Sequence, residues 1–401
     1  MKILLAHNNY QQFGGEDAVA KSEYEMFRRK GEDVHLYLRD NLEINQFSLW
    51  KKGKTVWNMH YSKDSFWEIR RLIQKIRPDV VHVINTFFLI SPSIYYACRH
   101  ERVPVVQSLY NYRLMCANAL FQRNGEHCTD CLTKSRWRSV LYPCYRNSRI
   151  LTALVVKMIN HHWKRGTWNK VNAFLVATEF AKQKFVQAGI DEKKIYIKPQ
   201  FIFPDPPMRN QVSDYALYAG RLSHEKGIQV LLKAWRKIKD IPLKIMGDGP
   251  MRDWVRKQVQ EFGMHNVQLL GHIPSDHADH SQYMNGAKFI IVPSVSHENF
   301  PRIMVEAYSY GIPVLASSLA GVKDFVEEKK SGILFKWNDP EDLRKKARWL
   351  ISNDDQLKIM NQGARDEYEQ KYTSDANYRF LMSVYNKTID AHTGGHLYAL
   401  T

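Results

Sequence analysis

The sequence predicts an α/β protein built from two Rossmann-like, doubly wound domains. Three observations carry this. The chain has 401 residues, more than one ordinary core encloses. Short β-branched runs alternate with helical apolar spacing along most of it, the rhythm of parallel sheets covered by helices. Composition then breaks at 199–210, where Pro199, Pro204, Pro206 and Pro207 leave little apolar periodicity and read as an interdomain linker. The expected domains are 1–203, with an irregular insertion at about 110–147, and 204–376, followed by a last helix and tail at 377–401.

In the first domain the strands are expected at 2–6, 34–38, 80–84, 103–108, 173–177 and 195–198. Gly14 and Gly15 turn the chain from the first strand into a helix at 17–30. This is a βαβ opening without G-x-G-x-x-G, so no dinucleotide fingerprint is present. Residues 41–67 mix aromatic and basic side chains, among them Trp50, Lys51, Lys54 and Trp57, and suit either a membrane interface or packing between helices. A basic amphipathic helix at 149–170 carries the same two readings. In the second domain strands are expected at 216–219, 243–246, 267–270, 289–292, 314–316 and 333–335. Helices follow at 340–350, 355–372 and 377–388, and a Gly-rich tail frays from Thr393.

Hydrophobic content of 44% and charged content of 25% describe a globular chain. No apolar run approaches the roughly 20 residues that span a bilayer. The start MKILLAHNN is a buried strand rather than a signal peptide, so cytoplasmic residence is expected. The formal charge of +17 admits nucleic acid, an anionic membrane face or phosphorylated substrates as partners. No nucleic-acid-binding signature accompanies it, so no nucleic acid partner is expected. Anionic lipid attracts each nearby Lys or Arg by about 1 kcal/mol.

Four of the five cysteines fall in the insertion: Cys116, Cys128, Cys131 and Cys144. One C-x2-C with two outlying cysteines can supply four thiolates to a structural zinc. Free buried thiols and redox chemistry are the other readings.

The stretch 287–317 reads strand, loop, helix, turn, strand. Pro301 suits a helix start, and Gly311 followed by Pro313 suits its end. The first helical N–H groups, around Arg302, Ile303 and Met304, are expected to be unpaired and to suit a phosphate. Glu298 lies before this helix and Glu306 inside it, and two such carboxylates can hold sugar hydroxyls. The loop Gly220-Arg221-Leu222-Ser223-His224-Glu225-Lys226-Gly227 adds two cations where another helix opens.

These motifs resemble family 4 of the retaining nucleotide-sugar glycosyltransferases. Glu298 and Glu306 match its E-x7-E signature, and 220–227 matches its G-R-L-x-x-E-K-G loop. The resemblance extends to the Gly14-Gly15 loop, Gly247-Asp248-Gly249-Pro250 and Leu270-Gly271-His272. It implies the GT-B fold, two Rossmann-like domains facing a cleft, with the C-terminal helix crossing back to the first domain. It implies that Glu298, Arg221 and Lys226 carry catalysis, with Arg221 and Lys226 on the donor diphosphate. Gly15, Gly220, Gly249, His272, Ile303, Met304 and Glu306 would line the donor, with Glu306 on the ribose. Gly14, Glu16, Asn85 and Tyr110 would line the acceptor side.

UDP and GDP sugars both fit as donors. There is no Asp-X-Asp, so transfer is expected to need no metal or other cofactor in catalysis. The expected acceptor is a glycan, carried on a polyprenyl diphosphate, in surface-polysaccharide assembly at the inner face of the plasma membrane. The chain departs from the family at Ile84-Asn85 and Tyr110-Asn111, where related sequences often carry His-Asn. That departure keeps a catalytically silent, nucleotide-sugar-binding scaffold open beside the enzyme. A sugar phosphorylase on the same fold ranks last, for want of a lysine pattern anchoring pyridoxal.

Overall fold

The computed structural model describes residues 1–397 except 12–13, 124–125, 297–300 and 320. The chain divides into two compact units. The first combines residues 1–123 and 128–199 with the C-terminal helix, and the main body of the second is Gln200–Thr373.

The first unit is built on β1 (Lys2–Asn9), β2 (Asp33–Asp40), β3 (Val80–Val83), β4 (Val105–Leu109), β5 (Ala173–Val176) and β6 (Ile195–Ile197). They form one sheet in the order β2-β1-β3-β4-β5-β6, every pair parallel. The second unit is built on β7 (Ala216–Ala219), β8 (Leu243–Met246), β9 (Val267–Gly271), β10 (Phe289–Val292), β11 (Val314–Ser317) and β12 (Gly332–Phe335), in the parallel order β9-β8-β7-β10-β11-β12. Central strands such as β3 and β10 are buried at every residue, as parallel strands covered on both faces must be. Parallel pairing also delivers all strand C-termini of a sheet to one edge. Strand order reverses between β1 and β3 in the first unit and between β7 and β10 in the second, which opens a crevice at each edge.

The helices used below are α1 (Gly15–Arg29), α2 (Leu49–Asn58), α3 (Arg149–Lys164), α4 (Ile228–Trp235), α5 (Ala278–Gly286), α6 (Arg302–Ser309) and α7 (Ser374–Leu397). The last is longer than its sequence pattern predicts. It starts before Asn377 and continues through Gly394, where a frayed tail is expected. Leu381, Val384 and Tyr385 bury one stripe of it. His392 lies 3.0 Å from the Arg102 carbonyl, so the helix is held to the rest of the first unit as far as that residue.

The proline-rich stretch also differs from a free linker. Phe201 and Arg209 are buried, Arg365 donates to the Pro206 carbonyl at 3.0 Å, and Arg209 donates to Asn361 Oδ1 at 2.9 Å. Proline removes donors but leaves carbonyls, and Arg365 takes that of Pro206.

A buried charge cluster ties the first unit together. Lys198 Nζ lies 2.7 Å from Glu23 Oε1 of α1, with both side chains out of solvent. Lys198 also donates to the Tyr110 hydroxyl at 3.1 Å. His82 of β3 lies 2.8 Å from Ser108 Oγ, 2.7 Å from the Tyr385 hydroxyl of α7, and 3.4 Å from Glu23 Oε2. Burial alone would raise Glu23, but the Lys198 ammonium, together with His82 and the Tyr110 hydroxyl, outweighs it and holds the carboxyl below its ordinary value. Burial pushes His82 down to about 4, so it is neutral at pH 7.

Removing one partner strands a buried charge. Lys198→Met should therefore cost about 3–5 kcal/mol in chemical denaturation, with Glu23→Gln in the same chain recovering much of it. The pH dependence has one sign for both groups. Folded values below the unfolded ones mean that the unfolded chain binds more protons in acid. Stability should be full above the unfolded histidine value and fall as pH drops toward 4, with His82 contributing roughly 3 kcal/mol of the loss. Thermal melts across that range check it, and a flat profile would contradict it.

Candidate donor and acceptor sites

The donor side is built where β7, β8 and β10 end. Their loops touch through backbone. A Cβ on Gly247 would sit 1.9 Å from the Gly220 carbonyl oxygen, and one on Gly249 would sit 2.6 Å from that of Leu222. Gly227, at φ +72°, would place a Cβ 1.8 Å from the Pro293 carbonyl oxygen. Backbone bonds close the same contacts: Leu222 N to Asp248 O at 2.9 Å, Met251 N to Leu222 O at 2.9 Å, and Val295 N to Glu225 O at 3.0 Å. Glycine is required here because any side chain would drive these loops apart.

On this platform Arg221 is exposed and Lys226 half-buried, just before α4, whose N-cap is Gly227. Gly220 closes β7, Gly249 sits in the β8 loop, and exposed His272 follows β9. Glu298 lies outside the described residues. Pro301 precedes α6 and Gly311, at φ +69°, follows it.

The structure corrects one expectation at α6. The Met304 N–H is not open, because it bonds the Pro301 carbonyl at 2.9 Å, and the Met304 side chain is fully buried. A tight first turn pulled that donor inward. Ile303 is half-buried. Glu306 is half-buried, with Oε1 3.5 Å from Nε2 of His280 on α5. His280 was not singled out by sequence. It sits on a helix with little amphipathic pattern, and only the packing of α5 beside α6 reveals it.

The acceptor-side residues divide. Gly14 caps α1, its N–H donating to Asp17 Oδ2 at 2.7 Å, and Gly15, expected on the donor side, is exposed at the first turn. Glu16 follows. It accepts from the Tyr10 hydroxyl at 2.9 Å and from Asn111 Nδ2 at 2.7 Å, and burial raises its carboxyl. Asn85 and Tyr110 are corrections. Asn85 donates to the Asn8 carbonyl at 2.7 Å and accepts from Phe87 N at 3.0 Å, so both ends of its amide brace loops. Tyr110 turns its hydroxyl into the Lys198–Glu23 pair, and burial pushes it up to about 12. Strand alternation explains the swap, since consecutive residues leave a strand end on opposite sides. Asn111, one residue on, is the side chain beside Glu16.

In the insertion the Cys116 thiol lies 2.9 Å from Asn118 Oδ1, and a hydrogen bond from Cys131 lowers it while Cys131 is pushed up. Cys128 and Cys144 are half-buried. Among the described residues, no three of His, Cys, Asp and Glu are grouped to hold a metal.

The second unit's motif set, with its glycine platform and paired cations, has a named counterpart. Residues 204–367 match the family glycosyl transferases group 1. An uncharacterized glycosyltransferase from Methanocaldococcus jannaschii is 27% identical over 177 residues, 44% of this chain and 49% of that protein. A putative colanic acid biosynthesis glycosyltransferase from Escherichia coli is 27% identical over 175 residues, 41% of this chain and 43% of that protein. The match thus spans about half the length, or less, of such curated relatives. Over the whole chain, an Anabaena protein solved in complex with UDP superposes with a TM-score of 0.65 at 16% identity, covering 96% of this chain and 100% of that one. The two-sheet α/β architecture is the GT-B fold.

Two measurements check this geometry. Gly227→Ala should lower the melting temperature and abolish nucleotide binding to the group 1 segment, because the loops cannot separate without losing the platform. Normal binding in that variant would contradict the close approach. Metal analysis of the purified chain tests the zinc expectation: one equivalent assigns Cys116, Cys128, Cys131 and Cys144 to it, and none leaves Cys116 and Cys131 as a thiol pair.

Proposed function

We propose that the chain is a retaining, metal-independent glycosyltransferase that moves a sugar from a UDP or GDP donor to a glycan acceptor. The observation that carries this is the glycine-locked platform of the second unit, which holds Arg221 and Lys226 at the strand-order reversal with Glu306 on α6. A diphosphate leaving group gains negative charge as the sugar–oxygen bond breaks. Arg221, Lys226 and the start of α6 supply the counter-charge, and such preorganised groups serve where a metal otherwise would. Glu306 holds the ribose and Glu298 the sugar. The acceptor hydroxyl attacks on the face the diphosphate leaves, and the departing phosphate oxygen takes its proton, so no side-chain base is required. UDP in the Anabaena structure supports a nucleotide-sugar donor, and the colanic acid relative supports a surface-polysaccharide acceptor, which we take to be carried on a polyprenyl diphosphate. Such an acceptor would put the chain at the inner face of the plasma membrane. Among the described residues no helix is long and apolar enough to cross a membrane.

The structural use of Asn85 and Tyr110 favours a second reading, a catalytically silent scaffold that binds the nucleotide sugar. The two are separated by variants. Arg221→Ala and Lys226→Ala should each lower kcat/KM by about 100-fold or more without lowering the melting temperature. A wild-type chain that binds the donor by calorimetry but neither hydrolyses nor transfers it would be the scaffold.

A further inference from the structure

We propose that the outward face of α2 and α3 in the first unit docks on an anionic lipid bilayer. Trp50, Lys54 and Trp57 are spaced by four and three residues, so they form one stripe on α2. The stripe is turned to solvent, with Trp50 76% and Trp57 68% exposed. Lys54 Nζ lies 5.6 Å from the Trp50 ring, and Lys157 Nζ of α3 lies 5.3 Å from the Trp57 ring, which joins the two helices into one surface. Ile150, in the first turn of α3, is 74% exposed.

Packing does not require these residues. The two helices already bury their inner sides, with Val155, Val156 and Ile159 in a small core against which Val56 packs. Bulky apolar groups held in water beside cations mark an interaction site.

Charge selects the occupant. Residues 44–63 contain no acidic side chain, and between Asp130 and Glu179 there is none either, against nine Lys and Arg. Anionic headgroups match that charge. Beneath them lies an apolar layer that takes indole rings and Ile150 while lysine heads stay at the phosphates. A polyanion such as RNA offers the charge without the apolar layer. The face also continues toward the rim that holds Glu16: Arg146 donates to Gln11 Oε1 at 3.1 Å, and Arg113 stacks over Phe87 and Tyr145. A lipid-linked acceptor would reach that rim from the same bilayer, a consequence that rests on the proposed transfer reaction, whereas docking itself does not.

The test is co-sedimentation of the full chain with phosphatidylcholine vesicles, with or without phosphatidylglycerol. Binding should appear with phosphatidylglycerol and weaken with salt. The pairs Trp50→Ala with Trp57→Ala, and Lys51→Gln with Lys54→Gln, should each lower the partition coefficient by about tenfold or more. Melting temperature and nucleotide binding should stay unchanged in both, whether or not any transfer is detected. No binding to phosphatidylglycerol vesicles would overturn the proposal, as would variants that bind like the parent. Displacement of the vesicles by an RNA oligonucleotide through the same lysines, or self-association of the chain lost in the tryptophan pair, would overturn it in favour of those occupants.

Discussion

The donor half depends on backbone touching backbone. Gly227 lies against the Pro293 carbonyl, Gly247 against that of Gly220, and Gly249 against that of Leu222. Three strand-end loops are thereby held as one surface, with backbone hydrogen bonds crossing between them. Arg221 and Lys226 belong to one of these loops and inherit its position. Electrostatic stabilisation of a leaving group works only if the charges are in place before the bond breaks. The glycines do that placing, and no side chain at those positions could.

The first unit solves a related problem with charge. The Glu23–Lys198 pair sits where α1, the end of β6 and the start of the connection to the second unit meet, and His82 and Tyr385 extend it to α7. Such a cluster is stable only while every member has its partner. That demand turns the Tyr110 hydroxyl inward and leaves Glu16 bonded to Tyr10 and Asn111. The proposed acceptor side would therefore be carried by a carboxylate and an amide, at a place where the resembled family often carries histidine.

Much of the fold was legible because parallel strands are buried on both faces and stand out as continuous apolar runs. All twelve strands of the two large sheets lie where such runs predict them, with ends shifted by a few residues. Pro301 and Gly311 were legible for local reasons, since φ preference and a missing N–H act on the nearest neighbours alone. Longer-range pairings were not. Arg209 docked on Asn361 and His392 set against Arg102 join residues far apart in sequence, so the linker is anchored and the last helix is held as far as His392. His280 beside Glu306 is a third such pair.

By itself the sequence determined the two-sheet architecture, the glycine positions and the candidate cations, because periodicity, backbone conformational limits and charge are properties of short stretches. Only the tertiary structure decided which polar side chains face the rim and which are consumed inside. The Asn85 amide, the Tyr110 hydroxyl and the Met304 N–H were taken up internally, and Asn111 and His280 were brought beside Glu16 and Glu306. The reason is that a buried polar group must find its partner wherever the fold supplies one, and that partner is seldom a neighbour in the chain.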